Sequence, residues 1–248
     1  MFHILKSIVN KSLAPVGIRI SRIDDHNWND VASFIPLERT LGAARTANMS
    51  VGDYVDSVMN GTPGSSQATI DKMASCGVFS EALGSIVEIG PGTGRYLAKT
   101  LKLASPSRYE IYETADPWSD YLVKEYNVVL QPADGYSLSG TPDNSADLVH
   151  AHKVFSTVPF LVTCCYWQEM VRVIRRGGWA VFDVMTERCL SKEAMFSWSR
   201  CGIRNGSFPA AMPREVAINF FTSNGFTLAS SFIAPLPPGT TELLLFKR

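Results

Sequence analysis

The feature that most constrains this chain is the run Ile86-Val87-Glu88-Ile89, which leads directly into Gly90-Pro91-Gly92-Thr93-Gly94-Arg95. Val87 and Ile89 suit a strand buried on both faces of a parallel sheet. Three glycines at alternate positions then let the backbone take tight or positive-φ turns and come close to a ligand. A strand that breaks into such a turn makes a binding floor.

Dinucleotide-binding folds also place a glycine turn after a first strand and an acid after the second. Their fingerprint wants a further glycine or alanine two residues beyond Thr93, where this chain has the bulky Arg95. Glu88 stands shortly before the first glycine, and its carboxylate would repel a pyrophosphate. The ammonium of a methionine moiety would instead gain from it, through direct or water-mediated hydrogen bonds. The pattern favours S-adenosylmethionine over NAD.

The stretch resembles the first motif of the class I S-adenosylmethionine-dependent methyltransferases, and the resemblance extends over residues 80–248. It implies an α/β fold with a Rossmann-like doubly wound sheet, mostly parallel with a terminal antiparallel strand, plus an N-terminal helical cap. Residues 108–113 read as a second strand ending in Glu113, placed as the family's ribose ligand is placed. A carboxylate there accepts from both ribose hydroxyls. Val128-Val129-Leu130 reads as a third strand, and Ala133-Asp134-Gly135 matches the family's adenine-contacting loop, with Asp134 accepting from the adenine amino group. The donor site implied by the resemblance is therefore Glu88, Gly90, Gly92, Gly94, Glu113, Asp134 and Gly135.

Ala146-Asp147-Leu148-Val149-His150 reads as a fourth strand, followed by Ala151-His152-Lys153 where the family meets its acceptor. The apolar-periodic residues 160–175 read as a helix with basic residues in its last turn and a glycine stop at Gly177-Gly178. Residues 179–184 form a fifth strand. A helix near residues 213–224 and two strands, over residues 226–233 and 241–246, resemble the reversed pair that closes the family's sheet.

Two of the chain's four histidines, His150 and His152, sit at the carboxyl end of the fourth strand, outside which open α/β sheets bind ligands. If the strand persists through His152, both imidazoles share a face, as a base with a positioning partner or as two metal ligands, unless one packs against the cofactor adenine or the loop backbone as a structural histidine. Histidine suits proton transfer near neutral pH. No metal is expected, because no third ligand at motif spacing accompanies them. Glu187, just past the fifth strand, either orients an acceptor hydroxyl or is a solvated helix-start residue.

The formal net charge is zero, with 23 basic and 23 acidic residues. That balance disfavours nucleic acid as a partner, since duplex-binding domains carry a basic excess or stripe. The odd count of five cysteines, without a metal-type pair, argues against a disulfide scaffold and for a reducing, cytoplasmic setting.

Residues 1–80 are expected to form a helical cap or lid, and residues 81–248 the S-adenosylmethionine-binding domain. Within the cap, Ile4, Leu5, Ile8, Val9 and Leu13 share one helical face, and residues 1–23 are basic. That segment is read as a packed helix, a peripheral membrane contact or a targeting segment. Pro36 marks a helix start, as does Ser50, and Tyr54 is a lid candidate or a core anchor.

The resulting expectation is O-methylation of a small-molecule or glycan hydroxyl, with His152 and His150 as catalytic candidates. N- or carboxyl-methylation, a catalytically silent donor-binding scaffold, and an NAD-dependent oxidoreductase are the competing readings.

Overall fold

The computed structural model describes residues 35–205 and 208–248. The basic segment over residues 1–23 lies outside them. Seven strands form one sheet: β1 (Ser85–Ile89), β2 (Arg108–Tyr112), β3 (Val129–Leu130), β4 (Ala146–Ala151), β5 (Ile174–Val184), β6 (Thr227–Leu236) and β7 (Gly239–Lys247). Their spatial order is β3-β2-β1-β4-β5-β7-β6. β1 pairs in parallel with β2 and β4, and β4 with β5, whereas β7 runs antiparallel to both β5 and β6. The expected doubly wound sheet with a reversed closing strand is present.

Alternation along the strands sorts the interior into two layers. Val87, Ile89, Val149, Ala151 and Phe182 point to one face, where they meet Trp167 and Met170 of α6 (Phe160–Val173) and Phe221 of α8 (Arg214–Ser223). Ile86, Tyr109, Ile111, Leu148 and Val181 point to the other. There they are covered by Ile70 and Met73 of α3 (Ser65–Ser75), Leu97 of α4 (Leu97–Leu103) and Leu122 of α5 (Asp116–Glu125). Every residue of β4 is buried, as a central parallel strand requires. Of the polar residues on the second face, Glu88 and His150 are register partners across β1 and β4.

One expected element is displaced. The helix over residues 160–175 ends at Val173, and the next residue already belongs to β5. Ile174 pairs with Ala146, and pairing resumes at Trp179 with Leu148, so residues 175–178 are absorbed in a bulge. Arg175 therefore faces Asp147, with which it forms an ion pair, rather than a helix carbonyl. Arg172 is the basic residue of the helix's last turn.

Before the sheet come α1 (Leu37–Thr46), preceded by Pro36, and α2 (Val51–Tyr54), which runs into a π-helical turn over Val55–Met59. Ser50 caps α2 by accepting from the Asp53 amide at 3.1 Å. Tyr54 is half-buried. The Trp118 indole on α5 donates to the Ile35 carbonyl at 2.7 Å, and this ties the start of the described chain to the sheet domain. A further helix, α7 (Lys192–Asn205), follows β5 and a short 3-10 turn. Among the described residues no helix is long and apolar enough to cross a membrane.

Candidate functional site

The site forms at the carboxyl ends of β1, β2 and β4. Gly90, Gly92 and Gly94 all have positive φ, at 61°, 54° and 73°, a region from which a Cβ is sterically disfavoured. Their surroundings differ. A Cβ on Gly90 would sit 2.7 Å from Val154 Cγ2, and one on Gly94 would sit 2.5 Å from Leu122 Cδ2. Those two glycines let the loop pack against the protein. A Cβ on Gly92 would meet nothing within 4 Å. Gly92 is where the loop faces open space.

Glu113 follows the last residue of β2 and is nearly buried. Its Oε2 accepts from the Gly92 amide at 2.7 Å and its Oε1 from the Ala115 amide at 2.8 Å. Burial raises its pKa from the ordinary carboxylate value, and the amides of Ala115, Gly92 and Thr114 oppose that rise. The carboxylate is thus oriented by the glycine loop, with a lone pair left on each oxygen to accept from a diol.

Asp134 and Gly135 lie in the loop after β3. Asp134 is exposed, and its carboxylate accepts from the amides of Tyr136 and Ser137 and from the Ser137 hydroxyl. Desolvation is the largest single effect and pushes its pKa up, but those hydrogen bonds together hold it below the ordinary value and shape a tight turn at Gly135, whose φ is 87°. The same turn leaves space beside Gly135.

The structure brings Glu88, His150 and His152 together through a residue the sequence reading did not single out. The Tyr109 hydroxyl donates to Glu88 Oε2 at 2.6 Å and lies 2.9 Å from His150 Nε2. His150 Nδ1 is 3.0 Å from His152 Nε2. Glu88 is therefore turned inward, toward Tyr109 and His150, at 1% exposure, and His150 is fully enclosed with both ring nitrogens engaged. His152 is the outermost member, at 6% exposure. Its ring stacks on Tyr96, the residue before α4, with centroids 4.0 Å apart. Burial holds both histidines well below the ordinary imidazole pKa, with the charges of Lys153 and Arg95 adding to this at His152. Both rings are neutral at physiological pH.

His152 is fixed from the next residue as well. Lys153 adopts a left-handed φ of 63°, its amide donates to Asp183 Oδ1 at 2.5 Å, and its ammonium lies 3.2 Å from Asp183 Oδ2 and 2.7 Å from Thr241 Oγ1. That ion pair joins the turn after β4 to β5 and β7. Glu187 lies apart from the histidines in its bonding, accepting the Arg214 amide at the start of α8 at 2.9 Å.

Arg95 takes a role beyond excluding a third loop glycine. Its guanidinium pairs with the fully buried Asp56 in the π-helical turn at 2.8 Å, and the other Asp56 oxygen accepts from the Ser66 amide at 2.9 Å and the Ser66 hydroxyl at 2.5 Å. Gly52 lets α2 approach, since a Cβ there would lie 2.9 Å from Arg95 Cβ. The glycine loop is therefore bolted to the cap helices. Among the described residues no cluster of three or more His, Cys, Asp or Glu is arranged to hold a metal ion.

These groups suit S-adenosylmethionine on the structure's own terms. The open side of Gly92 admits a ligand against the backbone, and Glu113 presents oriented acceptors beside it. Asp134 and Gly135 border the same end of the sheet.

Comparison with known proteins agrees. A family model described as a methyltransferase domain matches residues 87–182. No curated protein sequence matches the chain. Among solved structures, an O-methyltransferase family protein from Burkholderia thailandensis superposes with a TM-score of 0.57 at 15% identity, covering 98% of this chain and 83% of that one. An S-adenosylmethionine-dependent methyltransferase from Mesorhizobium loti gives 0.57 at 13% identity, over 73% and 98%. The N-methyltransferase NodS from Bradyrhizobium japonicum, solved with S-adenosyl-L-homocysteine, gives 0.52 at 15% identity, over 73% and 86%. At such identities the likeness to these structures establishes the fold, and the matched family model adds the domain type. From β1 into β5 the chain matches the methyltransferase-domain model, and its sheet has the fold of S-adenosylmethionine-dependent methyltransferases.

Proposed function

We propose that this protein is an O-methyltransferase acting on a hydroxyl of a small-molecule or glycan acceptor, with His152 as the general base. The observation that carries the reading is a neutral, oriented imidazole at the carboxyl end of β4, linked through His150 to a buried carboxylate. An alcohol is a poor nucleophile at neutral pH, and a positioned base raises its reactivity as the new bond forms. The loop glycines Gly90, Gly92 and Gly94, with Glu113, Asp134 and Gly135, form the donor side, whereas Glu88, expected from the sequence to meet the donor ammonium, is turned into the interior toward Tyr109 and His150.

S-adenosylmethionine, when bound, supplies a methyl group on a positively charged sulfur. The chain's part is alignment and proton removal. Gly92 leaves room for the donor, Glu113 accepts from its ribose, and Asp134 with Gly135 borders the adenine. Tyr96 and His150 hold the His152 ring from its face and its edge, so that little orientation freedom is left to lose on reaction. Residues 35–80 act as a cap beside this site and the described residues from 81 onward as the catalytic domain. The balanced charge and the odd cysteine count fit a cytoplasmic enzyme without a nucleic-acid substrate.

The test is turnover under donor saturation across a panel of hydroxylated sugars and small alcohols, with products identified by mass and by resistance to hydroxylamine. His152→Ala should lower turnover by about a hundredfold or more while donor affinity is held. Hydroxylamine-labile product would show carboxyl methylation. Full turnover in the variant would remove the base.

A further inference from the structure

We propose that Glu88, Tyr109, His150 and His152 form a proton wire that carries the acceptor's proton from His152 Nδ1 to a store on Glu88. The proposal rests on the base reading above and adds where the proton goes and which nitrogen takes it.

Hydrogen-bond directions fix the wire. A tyrosine hydroxyl has one hydrogen, and when Glu88 is ionised Tyr109 gives it to Glu88 Oε2. At the 2.9 Å contact Tyr109 must then accept, so His150 Nε2 carries a hydrogen. A neutral imidazole has only one N–H, so His150 Nδ1 is bare and accepts from His152 Nε2. His152 Nδ1 is consequently the unprotonated nitrogen. No hydrogen bond from a described residue reaches it.

The transfer balances without leaving a buried charge. As the acceptor oxygen bonds the methyl carbon, the carbon–sulfur electron pair stays with sulfur and the acceptor's O–H proton moves to His152 Nδ1. The Nε2 proton of His152 passes to His150 Nδ1, the Nε2 proton of His150 to the Tyr109 oxygen, and the hydroxyl proton of Tyr109 to Glu88 Oε2. The positive charge of the donor and the negative charge of Glu88 disappear together. Neither histidine becomes an imidazolium, which their burial disfavours. After product leaves, the reverse shift returns the proton to water through His152.

Glu88 suits storage. Burial pushes its pKa up to about 8, the Glu113 charge acts in the same direction, and the Tyr109 hydrogen bond opposes both. The other titratable groups around the wire are Tyr96, which stays protonated, and Lys153 and Arg95 beside His152, with Asp183 balancing Lys153. When Glu88 holds a proton, every bond in the wire is reversed and His152 Nδ1 carries a hydrogen. The base is then disarmed. Turnover should rise with pH through a limb near 8, although its immediate base is an imidazole whose own pKa is far lower.

The experiment is nitrogen-15 NMR of the histidine rings in the full chain without substrates, from about pH 6 to about pH 10. Expected is a joint switch of His150 and His152 between their two neutral tautomers near Glu88's pKa, absent in Glu88→Gln. The same variant should lose the limb near 8 in the pH profile, and its turnover should fall by about tenfold or more. Tyr109→Phe cuts the wire at another point and should also abolish the joint switch. Tautomers that stay fixed across this range, rings that titrate to imidazolium instead, or a switch that persists in both variants would overturn the wire. His152→Ala separates the two ideas. If that variant keeps full turnover while the wild-type rings still switch, the base reading fails and the proton path remains.

Discussion

Glu88→Gln should make the protein more stable at alkaline pH, and the structure sets the size of the effect. Glu88 is buried, and its folded-state pKa lies near 8 against 4.5 in an unconstrained chain. The folded protein thus holds this proton more tightly than the unfolded chain does. The resulting contribution to stability is fully present below pH 4.5 and is lost as pH rises through about 8. At about 1.4 kcal/mol per pKa unit, the whole shift corresponds to about 5 kcal/mol as an upper bound. Glutamine has nearly the same shape and can still accept from Tyr109, but it does not titrate. Urea unfolding of both proteins at several pH values isolates this residue, because the remaining groups cancel in the difference. The variant's relative stability should grow by several kcal/mol between mildly acidic and alkaline pH and level off above about 8. A difference that stays constant with pH would refute the reasoning, since it would mean that Glu88 titrates alike in both states.

Gly92→Ala, at the position with open space, should weaken donor binding measured by calorimetry far more than it lowers the unfolding midpoint. Gly94→Ala should do the reverse, because its Cβ drives into Leu122; equal effects of the two would contradict the division of labour in the loop. Glu113→Ala should cost about 1–3 kcal/mol of donor affinity, the scale of a charge-assisted hydrogen bond, and unchanged binding would remove it from the site. Arg95→Ala leaves Asp56 buried without its cation and should destabilise the fold by about 3 kcal/mol, with faster proteolysis in the cap helices as the readout.

The backbone geometry of the glycine loop was legible because it is local. Positive-φ glycines, a strand-end carboxylate and an Asp-Gly turn each follow from a few adjacent residues, and the structure gives Gly90, Gly92, Gly94, Glu113 and Asp134 conformations that suit those roles. The polar chain was only half legible. Alternation predicts His150 and His152 on one face, and the two rings do meet although β4 ends at Ala151, but Tyr109 enters through the pairing of β2 with β1, and that register is a property of the assembled sheet. Arg95 read as an obstacle to a dinucleotide, and its partner Asp56 lies in a π-helical turn that no periodicity announces. At residues 174–178 two basic residues and two glycines imitate a helix stop. Pairing of Ile174 with Ala146 overrides that local preference and starts the strand early.

The reversed closing strand has a consequence for how the molecule assembles. β6 pairs only with β7, and β7 is also the strand that meets β5. The edge strand cannot join the sheet by itself. It arrives attached to its neighbour, as a hairpin whose two strands are adjacent in sequence and close a short loop quickly. Docking of that hairpin along β5 joins residues about sixty apart in sequence, and so does the pairing of β1 with β4, so both halves of the sheet depend on non-local contacts. Until β1 and β4 are side by side, Glu88 and His150 have no common wall, and the groups proposed to carry the proton come together only with a non-local pairing of the sheet.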